Sequence, residues 1–392
     1  MPPVPRRPRV LLAVLVYNGR DFVPACLASA SGLRSGARDV DVLVLDDCSP
    51  DEDWSRELAE LCASMGVGYY RSPRNLGIPR NMNLALLRAV TGGYDSVVLV
   101  NSDVVLPLNL LDVMLGVVDG EPGVGSVTAW SNNVSVFSLP NADETGSLSR
   151  PDVVDWVSQQ LQDQFSTSAL DLPTGVGFCL LLPVPVVAEV GLLDPVYGRG
   201  YCEEVDWCLR SRARGYRAVL APGTFVFHHG GRSTADAGLV TGQARTVAEH
   251  ERIVDLRYPD YRRDVAAFLE ADDLAPLRAK ALWAVVVGGG QRWGYHVETR
   301  GLPGPPSDPA LAELARVVVD PDRPGEVTAD YRGFRQPLHV DGDDLAGFLR
   351  SVFGGPPRRV SVYDRGGLPG GWAADFGLDV PFVDRSGYPE RV

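Results

Sequence analysis

The chain has 392 residues, 45% of them hydrophobic and 22% charged, enough for about two or three ordinary domains and too apolar for disorder to be the default. Its formal net charge of −13 argues against a general nucleic-acid binder, because neutralising many phosphates needs a basic surface; phosphate met here must be met locally, by a cation or by a few placed arginines. Six cysteines, at positions 26, 48, 62, 179, 202 and 208, form no CxxC pair and indicate neither a disulfide framework nor a structural zinc site.

Residues Met1 to Arg9 run straight into Val10 to Val16, which is too short and too β-like for a signal peptide, so a reducing, cytoplasmic setting is expected. Val10 to Val16 and Val40 to Leu45 are strand-like runs ending in polar turns, and Phe22 to Leu33 between them has helical spacing: a βαβ opening. A helix is expected over Glu52 to Met65, a strand near Val67 to Tyr70, a helix over Asn81 to Val90, and a buried strand over Ser96 to Val100 that stops at Asn101-Ser102-Asp103. This alternation predicts an α/β fold with a mostly parallel sheet covered on both faces.

Further on, Val124 to Trp130 reads as a strand and Arg150 to Gln164 as a helix with Pro151 in its first turn. Thr174 to Leu182 reads as an apolar strand, Glu203 to Arg214 as a helix closed by Gly215, and Ala218 to Phe227 as a further strand or pair. The apolar run around Phe178 to Val187 is interrupted by Pro183 and Pro185, whereas a membrane span needs ~20 apolar residues, so no transmembrane helix is expected. Beyond Glu249 a helical segment is expected, with a helix over Tyr261 to Leu269. Gly288-Gly289-Gly290 reads as a bend and Gly301 to Pro306 as a linker. The last part carries an expected helix at Asp344 to Phe353 and a strand near Val360 to Tyr363.

Four clusters can carry chemistry. In a doubly wound sheet ligands bind at the carboxyl ends of the strands, where Asp46-Asp47 and Asp103 lie. Three carboxylates facing a diphosphate require a cation between them; oxygen ligands suit Mg²⁺ or Mn²⁺, and a histidine favours Mn²⁺. Each site is also an ordinary turn on its own residues, Asp46-Asp47-Cys48-Ser49-Pro50-Asp51 above all. The third cluster is Glu203-Glu204-Val205-Asp206, where acids in a first helical turn suit the helix dipole and Asp206 with Arg210 forms an i,i+4 pair. A carboxylate held near an acceptor hydroxyl is equally what a general base requires. The fourth is His228-His229-Gly230-Gly231, two histidines directly after an apolar strand, which read as packing residues or as a metal ligand according to their neighbours.

In this order the segments resemble the GT-A glycosyltransferase family 2, and within it the rhamnosyltransferase-like branch. The residues that carry the resemblance are Val16-Tyr17-Asn18-Gly19, Asp46-Asp47-Cys48-Ser49-Pro50-Asp51, Asn75-Leu76-Gly77-Ile78-Pro79-Arg80-Asn81, Asn101-Ser102-Asp103, and the Gly191-Leu192-Leu193-Asp194 segment followed by Glu203-Glu204-Val205-Asp206. The resemblance covers residues 9 to 235. It implies a GT-A domain over 1–250, with a nucleotide-binding half over 9–105 and an acceptor half over 106–250. Residues 251–300 are then a helical extension, and 301–392 an appendage of unassigned role.

By the same resemblance Val16, Tyr17, Asn18, Asp46, Asp47, Asn75, Arg80, Asn101 and Ser102 contact the nucleotide, while Asp103 and His228 hold Mn²⁺ or Mg²⁺. Asn101 stands where the family's Asp-x-Asp motif has its first acid, leaving Asp103 as the carboxylate ligand. Glu204 occupies the position of the base, with Glu203 and Asp206 as alternatives, and His229 is the neighbour that competes with His228. The implied reaction is inverting transfer of a sugar from a dTDP-rhamnose or UDP-hexose type donor to a hydroxyl of a glycan, lipid-linked or small-molecule acceptor. A lipid-linked acceptor would bring the protein to the inner membrane face, and association with a second copy is left open. The rival readings are a non-catalytic sugar-binding relative and a sugar nucleotidyltransferase. The latter wants a Gly-rich basic loop after the first strand, and Leu15 to Asp21 has none; a dehydrogenase's G-x-G-x-x-G is missing there too.

Overall fold

A computed structural model describes residues 8–33, 39–134, 136–140, 146–230, 240–299, 311–320, 325–340, 344–362, 376 and 382–384. The linker expected at 301–306 lies outside them. Two compact units are distinguished: residues 1–138 with 148–274, and residues 139–147 with 275–392.

In the first unit the apolar runs become β1 (Arg9–Val16), β2 (Asp39–Asp46), β3 (Gly68–Arg71), β4 (Ser96–Asn101), β5 (Val104–Val105), β6 (Val124–Ser131), β7 (Leu170–Leu172), β8 (Cys179–Pro183) and β9 (Arg217–His228). Between them run α1 (Val23–Gly32), α2 (Glu52–Ser64), α3 (Ile78–Thr91), α4 (Leu110–Gly120), α5 (Pro151–Phe165), α6 (Val184–Val190) and α7 (Glu203–Arg212), followed by α8 (Val240–Arg257) and α9 (Tyr261–Ala271). Strands follow the order β3-β2-β1-β4-β8-β6-β9-β5, with β7 also on β9. Pairing is parallel from β3 to β4 and between β6 and β9, and antiparallel around β8, β5 and β7. This is the mostly parallel α/β sheet of the GT-A type. Its register sets Val16 beside Asp46, Asp46 beside Arg71, and Leu15 beside Asn101, so the ends of four strands finish level along one edge.

Buried apolar side chains on one face explain why the edge is rigid. Met82 and Leu86 of α3, Val187 of α6 and Trp207 of α7 pack on Leu11, Leu99 and Leu180 of the sheet. Prolines at the first turn of α1, α3, α5 and α6 fit because those amides have no helical partner. For α6 this corrects the reading of Pro183 and Pro185 as simple breaks: Pro183 sits at the cap and the helix starts at Val184. The strand expected from Thr174 forms only from Cys179, and 174–178 is a loop.

In the second unit α10 (Leu274–Trp293, its first residue counted with the first unit) leads into a sheet of β10 (Tyr295–Thr299), β11 (Ala315–Val319), β12 (Glu326–Tyr331), β13 (Phe334–His339), β14 (Arg359–Val362) and β15 (Phe382–Asp384), with α11 at Leu345–Phe353. The order is β13-β12-β11-β10-β14-β15. The three glycines at 288–290 do not bend the chain; they lie within α10. A Cβ on Gly289 would come within 2.7 Å of the Tyr331 ring, and one on Gly290 within 2.3 Å of the Phe353 ring. Close packing of helix on sheet, and not a turn, is what these glycines serve. Among the described residues, no helix is long and apolar enough to cross a membrane.

Candidate active site

The turn after β1 is built on the turn after β2. Asn18 takes a left-handed conformation (φ 61°); its N–H donates to Ser49 Oγ at 2.8 Å, and its carbonyl accepts from Trp54 Nε1 at 3.2 Å. Asp46 is fully buried and its oxygens are engaged: Oδ1 accepts from the Ser49 amide and hydroxyl at 2.8 and 2.7 Å, and Oδ2 from Ser55 at 3.0 Å and Tyr69 at 2.8 Å. Arg71 adds its charge at 3.4 Å. Asp46 therefore braces the turn after β2 against α2 and β3.

Asp47 points the other way, its two oxygens accepting from the Leu76 and Gly77 amides at 2.7 and 2.9 Å. Burial raises its carboxyl above the usual range, and the two amides oppose that rise. These bonds fix the loop that displays Asn75 and leads into the first turn of α3, where Arg80 stands; both are exposed. Gly77 is held at φ +81° where a Cβ would fall 2.0 Å from the Gly198 carbonyl oxygen, so this loop is set directly against the approach to α7.

Beyond β4, Asn101 donates its amide to the Phe178 carbonyl at 2.9 Å, and Ser102 and Asp103 are buried. The His229 amide donates to the Asp103 carbonyl at 2.9 Å, tying this turn to the end of β9. Asp103 Oδ1 lies 3.3 Å from His228 Nε2, and neither atom has a hydrogen-bond partner although both are buried. His228 stands between two acceptors, with the Asn133 carbonyl oxygen 3.2 Å from Nδ1 and Asp103 Oδ1 3.3 Å from Nε2. A neutral imidazole carries one N–H and satisfies one of these oxygens; satisfying both takes a proton on each nitrogen, or a cation beside Nε2 and Asp103. Burial alone would raise the Asp103 carboxyl; contact with His228 and the charge of His229 hold it below its ordinary value. His229 turns elsewhere, its ring against Phe22 and Phe227 at 4.7 and 4.8 Å. Asp103 and His228 together supply one oxygen and one nitrogen donor, a set that could hold a divalent cation. Among the described residues, no three His, Cys, Asp or Glu side chains gather as a metal cluster.

The acids of α7 divide into two kinds. Asp206, fully buried, accepts from Arg210 Nε at 2.9 Å, Arg257 Nη1 at 2.9 Å, the Tyr258 hydroxyl at 3.0 Å and the Tyr197 hydroxyl at 3.3 Å. Asp206 is thus built into a buried network of two arginines and two tyrosine hydroxyls. Glu203 and Glu204 each keep one buried oxygen without a hydrogen-bond partner. Burial raises both carboxyls, Glu203 well above its usual value because the Glu204 charge adds to the effect. Amides of Gly177 and of the first turn of α7 pull Glu204 back, so of the two it is the easier to ionise.

One dipeptide joins these two halves. Gly177 lies against Glu204, a Cβ on it falling 3.8 Å from the Glu204 carboxyl carbon, and the Phe178 ring stacks on His228 with centroids 5.4 Å apart, while the Phe178 carbonyl accepts from the Asn101 amide. The acid pair and the cation pair flank the same two residues. Sequence reading missed both, taking them for strand interior; Gly175 and Gly177 two apart were the available signal of a loop. A cavity of about 240 Å³ lies away from this site, at the opposite end of β9, lined among others by Asp171, Arg212, Tyr216, Arg217 and Asp264.

Residues 12–179 match the family model described as Glycosyl transferase family 2. Those residues, less than half of the chain, are similar to that family. The match takes in the turns after β1 to β4 and the Gly177-Phe178 loop, and it ends before Glu203, Glu204 and His228. No curated protein matches the chain. Similar solved structures include the mannosyltransferase PcManGT from Pyrobaculum calidifontis in complex with GDP-Man and Mn²⁺, at 19% identity over 72% of this chain and 76% of that one, TM-score 0.45. Another is S. aureus TarS 1-349 in complex with UDP-GlcNAc, at 14% identity over 71% and 80%, TM-score 0.44. A third is GalNAc-T7 with UDP, GalNAc and Mn²⁺, at 14% identity over 69% and 52%, TM-score 0.45. The match gives the enzyme class as glycosyltransferase.

Proposed function

We propose that this glycosyltransferase inverts the sugar's configuration, takes a dTDP-rhamnose or UDP-hexose type donor, and uses Glu204 as its base. The observation that carries the reading is the Gly177-Phe178 dipeptide, which sets Glu204 and the Asp103–His228 pair on either side of one loop. The rhamnosyl preference rests on the Asn101-Ser102-Asp103 form of the motif.

Glu204 takes the proton of the acceptor hydroxyl as that oxygen attacks the anomeric carbon from the face opposite the diphosphate, its carboxyl raised by burial toward the range that suits a base. Gly177 packs against the carboxylate, and Glu203 lies beside it, raised further still. The β1 and β2 turns and the Asn75–Arg80 loop would orient the nucleoside, so that attack is within one assembled complex. A divalent cation, Mn²⁺ or Mg²⁺, when bound by Asp103 and His228, supplies Lewis-acid stabilisation of the departing diphosphate. The acceptor is a hydroxyl of a glycan, lipid-linked or small-molecule compound.

Glu204→Gln keeps shape and hydrogen bonding but cannot accept the proton. Turnover should fall by about 10²-fold or more while Mn²⁺-dependent binding of UDP or dTDP stays as it was. Retained turnover would remove Glu204 from the role. Release of free sugar from the donor by the wild-type chain with Mn²⁺ separates this reading from that of a non-catalytic binding protein.

A further inference from the structure

We propose that His250, Arg257 and Tyr258, at the end of the helix that follows β9, are positioning residues of the transfer reaction: they clamp the strained turn that presents Glu204. This rests on the reading of Glu204 as the base.

The turn needs a clamp. Gly198, Gly200, Tyr201 and Cys202 all have positive φ, at 48°, 120°, 71° and 73°, directly ahead of the first residue of α7. For Tyr201 and Cys202 that conformation is costly, and such strain persists only where the surroundings over-determine it. The restraint comes from outside the turn. His250 Nδ1 meets the Gly200 carbonyl oxygen at 2.8 Å, and its ring stands edge-on to Tyr197 at 5.5 Å. Arg257 bridges two acids at once, Asp194 at 2.8 Å and Asp206 at 2.9 Å, which lie on either side of the turn in sequence. Tyr258 adds its hydroxyl to Asp206 at 3.0 Å.

The same helix is held down by apolar contact. Val254 packs in a buried cluster with Tyr197 and Leu209, and Ile253, Tyr258 and Cys202 border it. None of the three polar residues touches the cation pair or the nucleotide edge. Their contacts end on the backbone and carboxylates around Glu203 and Glu204. They therefore act on where the base sits, and a carboxylate displaced by about 1 Å loses as much as ~10²-fold in rate.

The test uses the full chain and slow hydrolysis of dTDP-rhamnose or a UDP-hexose, with water as acceptor, so that no glycan need be known. Arg257→Met and Tyr258→Phe should lower kcat by about 10- to 100-fold and about 3- to 10-fold, with KM for the donor and the Kd for UDP or dTDP with Mn²⁺ within about twofold of wild type. Arg257→Lys, or guanidinium ion added to Arg257→Ala, should restore part of kcat. Unchanged kcat in Tyr258→Phe and Arg257→Met overturns the clamp, and so does a parallel loss of kcat and nucleotide affinity that tracks the melting temperature. Should Arg257→Met fail to fold, Tyr258→Phe, which keeps its ring, decides alone. Glu204→Gln run alongside separates the two readings: turnover retained there removes the base, whereas a dead Glu204→Gln with a fully active Arg257→Met removes only the clamp.

Discussion

Glu203 and Glu204 are neighbours in the chain and differ in what surrounds them. Glu203 is buried with the Glu204 charge beside it, while backbone amides near Glu204 oppose the effect of its burial. Both carboxyls are raised, Glu203 the further of the two. Glu203→Gln imitates the protonated form and should leave donor hydrolysis within about tenfold of wild type, in contrast to Glu204→Gln. Stability gives a second readout with a definite sign. An acid whose folded pKa is raised holds a proton that the unfolded chain has released, so stability falls as pH climbs from the ordinary carboxylate value through the raised one. Glu203→Gln removes that loss. Its melting temperature should exceed that of wild type at neutral pH and converge with it below the ordinary carboxylate range, and a lower melting temperature at neutral pH would reject the assignment.

At the scale of elements, periodicity carried the parallel half of the sheet almost to the residue, because each strand there is a continuous apolar run ended by polar turn formers. Where packing overrode local signals, the sequence was silent or misleading. No element was expected at 110–120, where α4 forms. Gly288-Gly289-Gly290 reads as a bend by propensity and is helical because the Tyr331 and Phe353 rings occupy the space a side chain would need. Candidate carboxylates were visible, yet what engages them was not: Tyr69 reaches Asp46 from 23 residues away and Arg257 reaches Asp206 from 51. Only tertiary contacts could separate the bracing acids Asp46 and Asp206 from Asp103 and Glu204. The glycine argument is testable. Gly290→Ala gains about 1 kcal/mol of helix propensity but must push into the buried Phe353 ring, an overpacking cost of about 1–3 kcal/mol. It should lower stability in denaturant titration, whereas an exposed Gly→Ala elsewhere in a helix would raise it.

For the whole molecule, charge sets the conditions under which a nucleotide sugar can bind. The chain carries −13, and the edge proposed to meet the diphosphate gathers Asp46, Asp47 and Asp103, with Glu203 and Glu204 across the Gly177-Phe178 loop. The nearest compensation by arginine is partly spent, since Arg71 already serves Asp46 and donates to the Ser49 carbonyl. Arg74 on the loop fixed by Asp47 and Arg80 in the first turn of α3 are exposed, and two guanidiniums do not balance a diphosphate among several carboxylates. Binding must therefore depend on a cation far more steeply than in a basic pocket. A ligand that binds only the folded chain raises its stability by about 2.7 kcal/mol at a hundredfold excess over Kd. UDP or dTDP with Mn²⁺ should thus raise the melting temperature clearly, the nucleotide with EDTA should not, and His228→Ala together with Asp103→Asn should abolish the Mn²⁺-dependent part. A shift that survives EDTA in the wild type would mean that the arginines alone carry the diphosphate, and the Asp103–His228 pair would then be a protonated ion pair instead of a cation site.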